Sequence, residues 1–166
     1  MRRIISVLLE NESGALSRVV GLFSQRGYNI ESLTVAPTND KTLSRMTITT
    51  EVVDNATLEQ MMKQLHKLVD VLRVSELTQN AHVERELLLI KMRTACNEAR
   101  QEVKRTCDIY RGQIVDITQN LYTIQLTGSG SKLDAFIATM SDTSEIVEVV
   151  RSGVCGIARG DKALRS

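Results

Sequence analysis

Tryptophan is absent from the 166 residues, and aromatics make up only 3% of them, as Phe23, Phe136, Tyr28, Tyr110 and Tyr122. Proline occurs once, at Pro37. Any core must therefore be aliphatic, drawn from the Ile, Val and Leu within a 42% hydrophobic share. Such cores lack the bulk that aromatic rings supply, so self-association is the default expectation. An excess of one charge is also missing: 21 Lys and Arg oppose 20 Asp and Glu, for a net +1. That balance argues against a chain that works by wrapping nucleic acid or coating an anionic membrane. No apolar run approaches the roughly 20 residues of a membrane span, and Ile4–Leu9 meets Glu10 with no secretory cleavage pattern. Three cysteines (Cys96, Cys107, Cys155) never form Cys-x-x-Cys, and two histidines (His66, His82) join no cluster. Free thiols in a reducing cytoplasm are predicted, with no resident zinc.

The length fits one average domain or two of about 80 residues, and the pattern favours two. Strands are predicted at 3–10, 29–36, 45–53 and 69–77. A helix carrying Leu16, Val19, Val20 and Phe23 on one face lies between the first two, and Gly27 closes it. Pro37, Asn39 and Asp40 mark the following hairpin. Leu58, Met61, Met62, Leu65 and Leu68 define a second helix. The order then repeats, with strands at 86–92, 113–117, 121–127 and 145–151. The third helix places Cys96, Ala99, Val103, Cys107 and Tyr110 on its apolar face. The fourth carries Leu133, Phe136, Ile137 and Met140 behind a capping box of Ser131 and Asp134. Arg26-Gly27 is echoed by Arg111-Gly112, and Leu68-Val69-Asp70-Val71 by Ile146-Val147-Glu148-Val149. The predicted fold is α+β: two tandem ferredoxin-like βαββαβ sandwiches. The expected division is 1–78, a polar linker at 79–82, and 83–166 ending in a basic tail.

The turn after the first strand has binding chemistry. Glu10-Asn11-Glu12-Ser13-Gly14-Ala15 leads into a helix N-terminus, whose free N–H groups and partial positive charge suit a carboxylate or phosphate. Gly14 allows close approach to the backbone, and Asn11 can both donate and accept, which suits a zwitterion. A purely structural turn, with Ser13 as the helix cap, is the plainer alternative. Asn29 opens the second strand, about 13 helical residues and so roughly 20 Å from Gly14. One small ligand touching both would need Asn29 from another chain, across a two-fold axis.

The run from Glu10 to Val19, followed by Arg26-Gly27-Tyr28-Asn29-Ile30-Glu31-Ser32-Leu33, resembles an ACT domain. More closely, it is similar to the small regulatory subunits of acetolactate (acetohydroxyacid) synthase. The likeness continues through Leu43-Ser44-Arg45-Met46-Thr47, Gln64–Val71, Glu84–Leu87, Arg111–Asp116 and Arg159-Gly160-Asp161-Lys162. It implies a non-catalytic partner of a thiamine-diphosphate enzyme in valine, leucine and isoleucine synthesis. Such a subunit activates the catalytic large subunit and confers feedback inhibition by valine. Thiamine diphosphate, Mg and FAD would belong to the large subunit, with no cofactor on this chain. Carried over, the effector site comprises Asn11, Gly14, Ala15 and Leu16 of one chain with Asn29 and Ile30 of its dimer mate. The second domain is expected to help carry the activating contact. The alternative is an ACT-domain sensor serving a different amino-acid enzyme.

Two other function classes fare worse. Neither histidine has an evident nucleophile or carboxylate partner, and Gly128-Ser129-Gly130-Ser131-Lys132 lacks Walker spacing, reading as a turn and cap. RNA-recognition modules share the strand and helix order but stack bases on strand aromatics, which Ile4–Leu9 and Met46–Thr50 lack.

Overall fold

The computed structural model describes residues 1–165 and contains the repeat. The first unit runs β1 (Arg2–Glu10), α1 (Ala15–Gln25), β2 (Ile30–Pro37), β3 (Leu43–Glu51), α2 (Asn55–His66), β4 (Val71–Glu76). The second runs β5 (His82–Arg93), α3 (Asn97–Ile109), β6 (Gln113–Ile117), β7 (Leu121–Gly128), α4 (Gly130–Thr143), β8 (Ile146–Arg151). A short β9 (Cys155–Ala158) follows. The four-stranded first sheet is ordered β2-β3-β1-β4; the second repeats that order as β6-β7-β5-β8 and has a fifth strand, β9, paired with β5. This is the α+β fold of two tandem ferredoxin-like units, with every recorded pairing antiparallel.

Period-2 alternation assigns one face of β1 to the helices: Ile5, Val7 and Leu9 pack with Val19 and Phe23 of α1 and Leu58, Met61 and Leu65 of α2. In the second unit Leu88, Ile90 and Met92 of β5 meet Val103 and Cys107 of α3 and Phe136 and Met140 of α4. Each unit uses its scarce rings alike, edge to face: Phe23 on Tyr28 at 5.7 Å and Tyr110 on Phe136 at 5.1 Å.

The chain divides into Met1–Val83 together with the residues from Val154 onward, and Glu84–Gly153. The segment after Gly153 thus groups with the first unit, whereas the sequence pattern assigned it to the second. Val154 is buried with Ile4 and Leu77. Its carbonyl accepts from Thr34 Oγ1 at 3.3 Å, and the Gly156 carbonyl accepts from Arg45 Nη2 at 2.9 Å. The returning segment lies on the face of the first sheet turned away from the helices. Cover on that side accounts for Ile4 and Ser6 being buried as fully as Ile5 and Val7.

Helix ends show where local reading succeeded and where it shifted. Both α1 and α3 end in the same double hydrogen bond: Gly27 N–H to Ser24 and Tyr28 N–H to Phe23, then Arg111 N–H to Asp108 and Gly112 N–H to Cys107. The left-handed position falls on Gly27 (φ 70°) in the first, but on Arg111 (φ 62°), one residue before the glycine, in the second. Gly112 has a different reason to be glycine: a β-carbon there would lie 3.2 Å from the Gln125 carbonyl oxygen and 3.1 Å from Cys107 Sγ. The α4 cap is Ser129, which accepts from the Lys132 N–H at 3.4 Å, so the Ser131–Asp134 box is displaced by two residues. Cys96 is exposed as the N-cap residue of α3, not on its apolar face, while Cys107 is buried and its thiol is pushed up by that burial.

Candidate functional site

The β1–α1 connection is held from three directions. Glu10 N–H donates to the Asp70 carbonyl at 2.9 Å, and Asn11 N–H donates to the Thr42 carbonyl at 2.8 Å. Asn11 Nδ2 donates to the Lys41 carbonyl at 3.0 Å. The 38–42 loop is itself set by Asp40, whose Oδ1 accepts from Thr42 N–H at 2.9 Å and Thr42 Oγ1 at 2.7 Å. Those bonds, from the hydroxyl first and then the backbone, hold the Asp40 carboxyl below the usual aspartate range. Asn11 is thus fixed by its backbone N–H and by one hydrogen of its side-chain amide, and its side-chain oxygen is what it can offer to a cationic group.

Gly14, not Ser13, is the N-cap of α1. It sits at φ 87°, and no side chain supplies the capping acceptor. The Ala15 N–H is used by the Glu12 carbonyl at 3.2 Å, and the Arg18 N–H closes the first helical bond to Gly14 at 3.0 Å. Between them, the Leu16 and Ser17 amides belong to the first turn, where a helix has no internal acceptor to give them. Ala15 is buried, so only its backbone borders the turn, while the Leu16 side chain is 43% exposed.

Asn29 and Ile30 lie at the opposite end of α1. Eleven helical residues separate the two ends, about 16 Å at 1.5 Å per residue. Asn29 is exposed and its carbonyl accepts from Thr50 Oγ1. Ile30 is half-buried, starts β2 and packs on the edge of the first core. Asn11, Gly14, Ala15 and Leu16 therefore form one cluster and Asn29 and Ile30 another.

One pair of residues at this turn escaped sequence reading. Arg18 Nε donates to Asp70 Oδ2 at 2.5 Å, and Asp70 is buried at 5% exposure. The hydrogen bond, reinforced by the charge and opposed by burial, lowers the Asp70 carboxyl below its ordinary value. The same bond raises Arg18. The available signal was the position of Arg18 itself. A cation in the opening turn of a helix opposes the helix dipole and calls for a nearby anion.

The chain matches two family descriptions in sequence order. Residues 5–73 match the AHAS small subunit-like ACT domain, and residues 85–160 match the small subunit of acetolactate synthase. The chain belongs to the acetolactate synthase small-subunit family. It is 69% identical over 165 residues to the acetolactate synthase isozyme 3 small subunit of Salmonella typhimurium, covering 99% of this chain and 100% of that one. It is 61% identical to the acetolactate synthase small subunit of Haemophilus influenzae, covering 98% of each. The crystal structure of the acetolactate synthase small subunit from Thermotoga maritima aligns with a TM-score of 0.86 at 35% identity, covering 98% of this chain and 99% of that chain. The first unit is thus an ACT domain of this family, and the family's role is regulation in branched-chain amino acid synthesis.

Among the described residues, no three His, Cys, Asp or Glu side chains gather as a metal site. No described helix is long and apolar enough to cross a membrane.

Proposed function

We propose that this chain is a non-catalytic, cytoplasmic regulatory subunit that binds the large catalytic subunit of an acetolactate synthase, activates it and makes it sensitive to valine. Thiamine diphosphate, Mg and FAD are assigned to the large subunit. The effector site joins Asn11, Gly14, Ala15 and Leu16 of one protomer to Asn29 and Ile30 of its partner in a homodimer. Carboxylate goes to the opening amides of α1, ammonium to the asparagine oxygens, and the branched side chain to the aliphatic neighbours.

The observation that carries this reading is the uncapped, left-handed Gly14 start of α1 in an ACT unit. The sheet order supports the dimer. β2 is an edge strand, so a two-fold axis beside it would continue the sheet into a second copy. That axis would also set the two α1 helices side by side and antiparallel, with the Gly14 end of each near the Asn29 end of the other. The exposed stripe of α1 suits such contact: Leu16 and Val20 are 43% and 37% exposed, and a β-carbon on Gly21 would meet nothing within 4 Å. Ligand bound across that axis favours one arrangement of the dimer and so biases the attached enzyme.

The test is to mix the chain with its acetolactate synthase large subunit and measure acetolactate formation with and without valine. Stimulation that valine reverses is the expected result. No effect on the large subunit would transfer the chain to the alternative, an ACT sensor of another amino-acid enzyme.

A further inference from the structure

Arg18 is the one cation of α1. Its guanidinium lies across Gly14: Nη1 is 3.0 Å, Cζ 3.5 Å and Nη2 3.6 Å from the position a β-carbon would take at residue 14. The Nε edge is occupied by Asp70 at 2.5 Å, and Nη2 stands 3.5 Å from the Ser13 carbonyl. Asp70 is in turn located by its backbone, whose carbonyl receives the Glu10 N–H at the end of β1. A buried carboxylate fixed to the sheet thus aims a permanently charged, planar group at the turn where the α1 amides emerge. Such a group needs no reorganisation to meet an anion, and it offers a charge-assisted hydrogen bond where the helix amides offer neutral ones.

We propose that Arg18 is a specificity residue of the effector site: its Nη1 edge, held over Gly14 by Asp70, pairs with the ligand carboxylate and makes the site select α-amino acids over their uncharged amides. This rests on the reading that the effector occupies the α1 N-terminus. Glycine at position 14 then has two purposes. It adopts the left-handed turn, and it leaves the guanidinium in place, because any side chain there would push Arg18 aside.

The experiment is calorimetric titration of the full-length protein with valine and with valinamide, which keeps the ammonium and the branched side chain but lacks the carboxylate. The wild type should prefer valine. Arg18→Gln should weaken valine binding about tenfold or more while leaving valinamide unchanged. Arg18→Lys, which keeps the charge but not the fork, should restore part of the preference. Asp70→Asn should reduce it, because the guanidinium loses its anchor. A wild-type preference retained in Arg18→Gln, or an equal loss for both ligands, would overturn the assignment and leave Arg18 a brace for the loop. A wild-type protein that binds neither ligand overturns the effector reading itself.

Discussion

Glu86 Oε1 accepts from Arg151 Nη2 at 2.7 Å and from Arg151 Nε at 3.2 Å, tying the first half of β5 to the last residue of β8. Its second oxygen accepts from the Gly153 N–H at 3.0 Å, and Arg151 Nη1 reaches Asp134 Oδ1 on α4 at 2.6 Å. Glu86 is 5% exposed and Arg151 31%. Glutamine at 86 keeps an oxygen that can accept from Arg151 but removes the charge, leaving Asp134 as the carboxylate partner of a half-buried guanidinium. Glu86→Gln should lower the stability of the second unit by about 1.5 kcal/mol, the low end for a charge-assisted hydrogen bond whose cation is partly exposed and keeps a second carboxylate. Urea denaturation followed separately in the two units would show it. An unchanged midpoint would mean the pair contributes nothing net.

The Asp70–Arg18 bridge gives the first unit an acid limit. The Asp70 carboxyl is lowered in the folded chain, chiefly by the Arg18 hydrogen bond, so its stabilisation is present in full above the ordinary aspartate value of about 3.9. It is lost as pH falls through the lowered native value. The melting temperature of wild type should therefore fall over that acid interval more than that of Asp70→Asn. The two curves should converge at the acid end. Parallel curves would remove Asp70 from the acid response.

Arg111 holds φ 62° at the end of α3, where the equivalent position after α1 is Gly27. The left-handed conformation costs an L-residue about 1–2 kcal/mol, and glycine returns part of that as extra freedom when unfolded. Arg111→Gly should stabilise the second unit by about 0.5–1 kcal/mol. A rise in its denaturation midpoint is the measurement. Gly27→Ala should move the first unit the other way, since the same conformation would then be forced on alanine.

Replacing Gly14 by Asp separates fold from effector response. Aspartate tolerates positive φ, so the turn should survive. Its β-carbon would emerge 3.0 Å from Arg18 Nη1, and its carboxylate would occupy the space and the cation proposed for the ligand. Valine should raise the melting temperature of wild type in proportion to occupancy and leave that of the variant unmoved. A full valine shift in Gly14→Asp would count against the α1 N-terminus as the site.

Most of the fold was legible because period-2 and period-3.6 patterns bury one face at a time, and the repeat doubled the signal in residues such as Leu88, Ile90 and Met92. Asn11, Gly14 and Asn29 could be named as candidate site residues from sequence because the chemistry that singles them out is local. What escaped was set by tertiary contact. Arg18 and Asp70 are 52 residues apart, and nothing in either neighbourhood names the other. Ser129 replaced Ser131 as cap because two serines flank Gly130 and only packing of the helix picks one. Cys96 fell off the helix by a single residue, which moved it from an apolar face to an exposed cap.

The returning segment at 154–158 had no pattern to announce it: Val-Cys-Gly-Ile-Ala is too short for periodicity, and a basic stretch follows. Its role is nevertheless structural. Val154 is buried with Ile4 and Leu77 and brackets β2 through Thr34 and through Ser32, whose Oγ receives its N–H at 3.4 Å. Truncating the chain at residue 81 would therefore strip the first unit as well as remove the second, and loss of valine binding in that fragment would not report on domain roles. A point change is cleaner. Val154→Ala should destabilise the first unit by about 2 kcal/mol, the transfer energy of two buried methyl-sized groups plus a small cavity. The midpoint of the second unit should stay where it is. If the second unit shifts instead, Val154 belongs with that core and the division of the chain at Gly153 is misplaced.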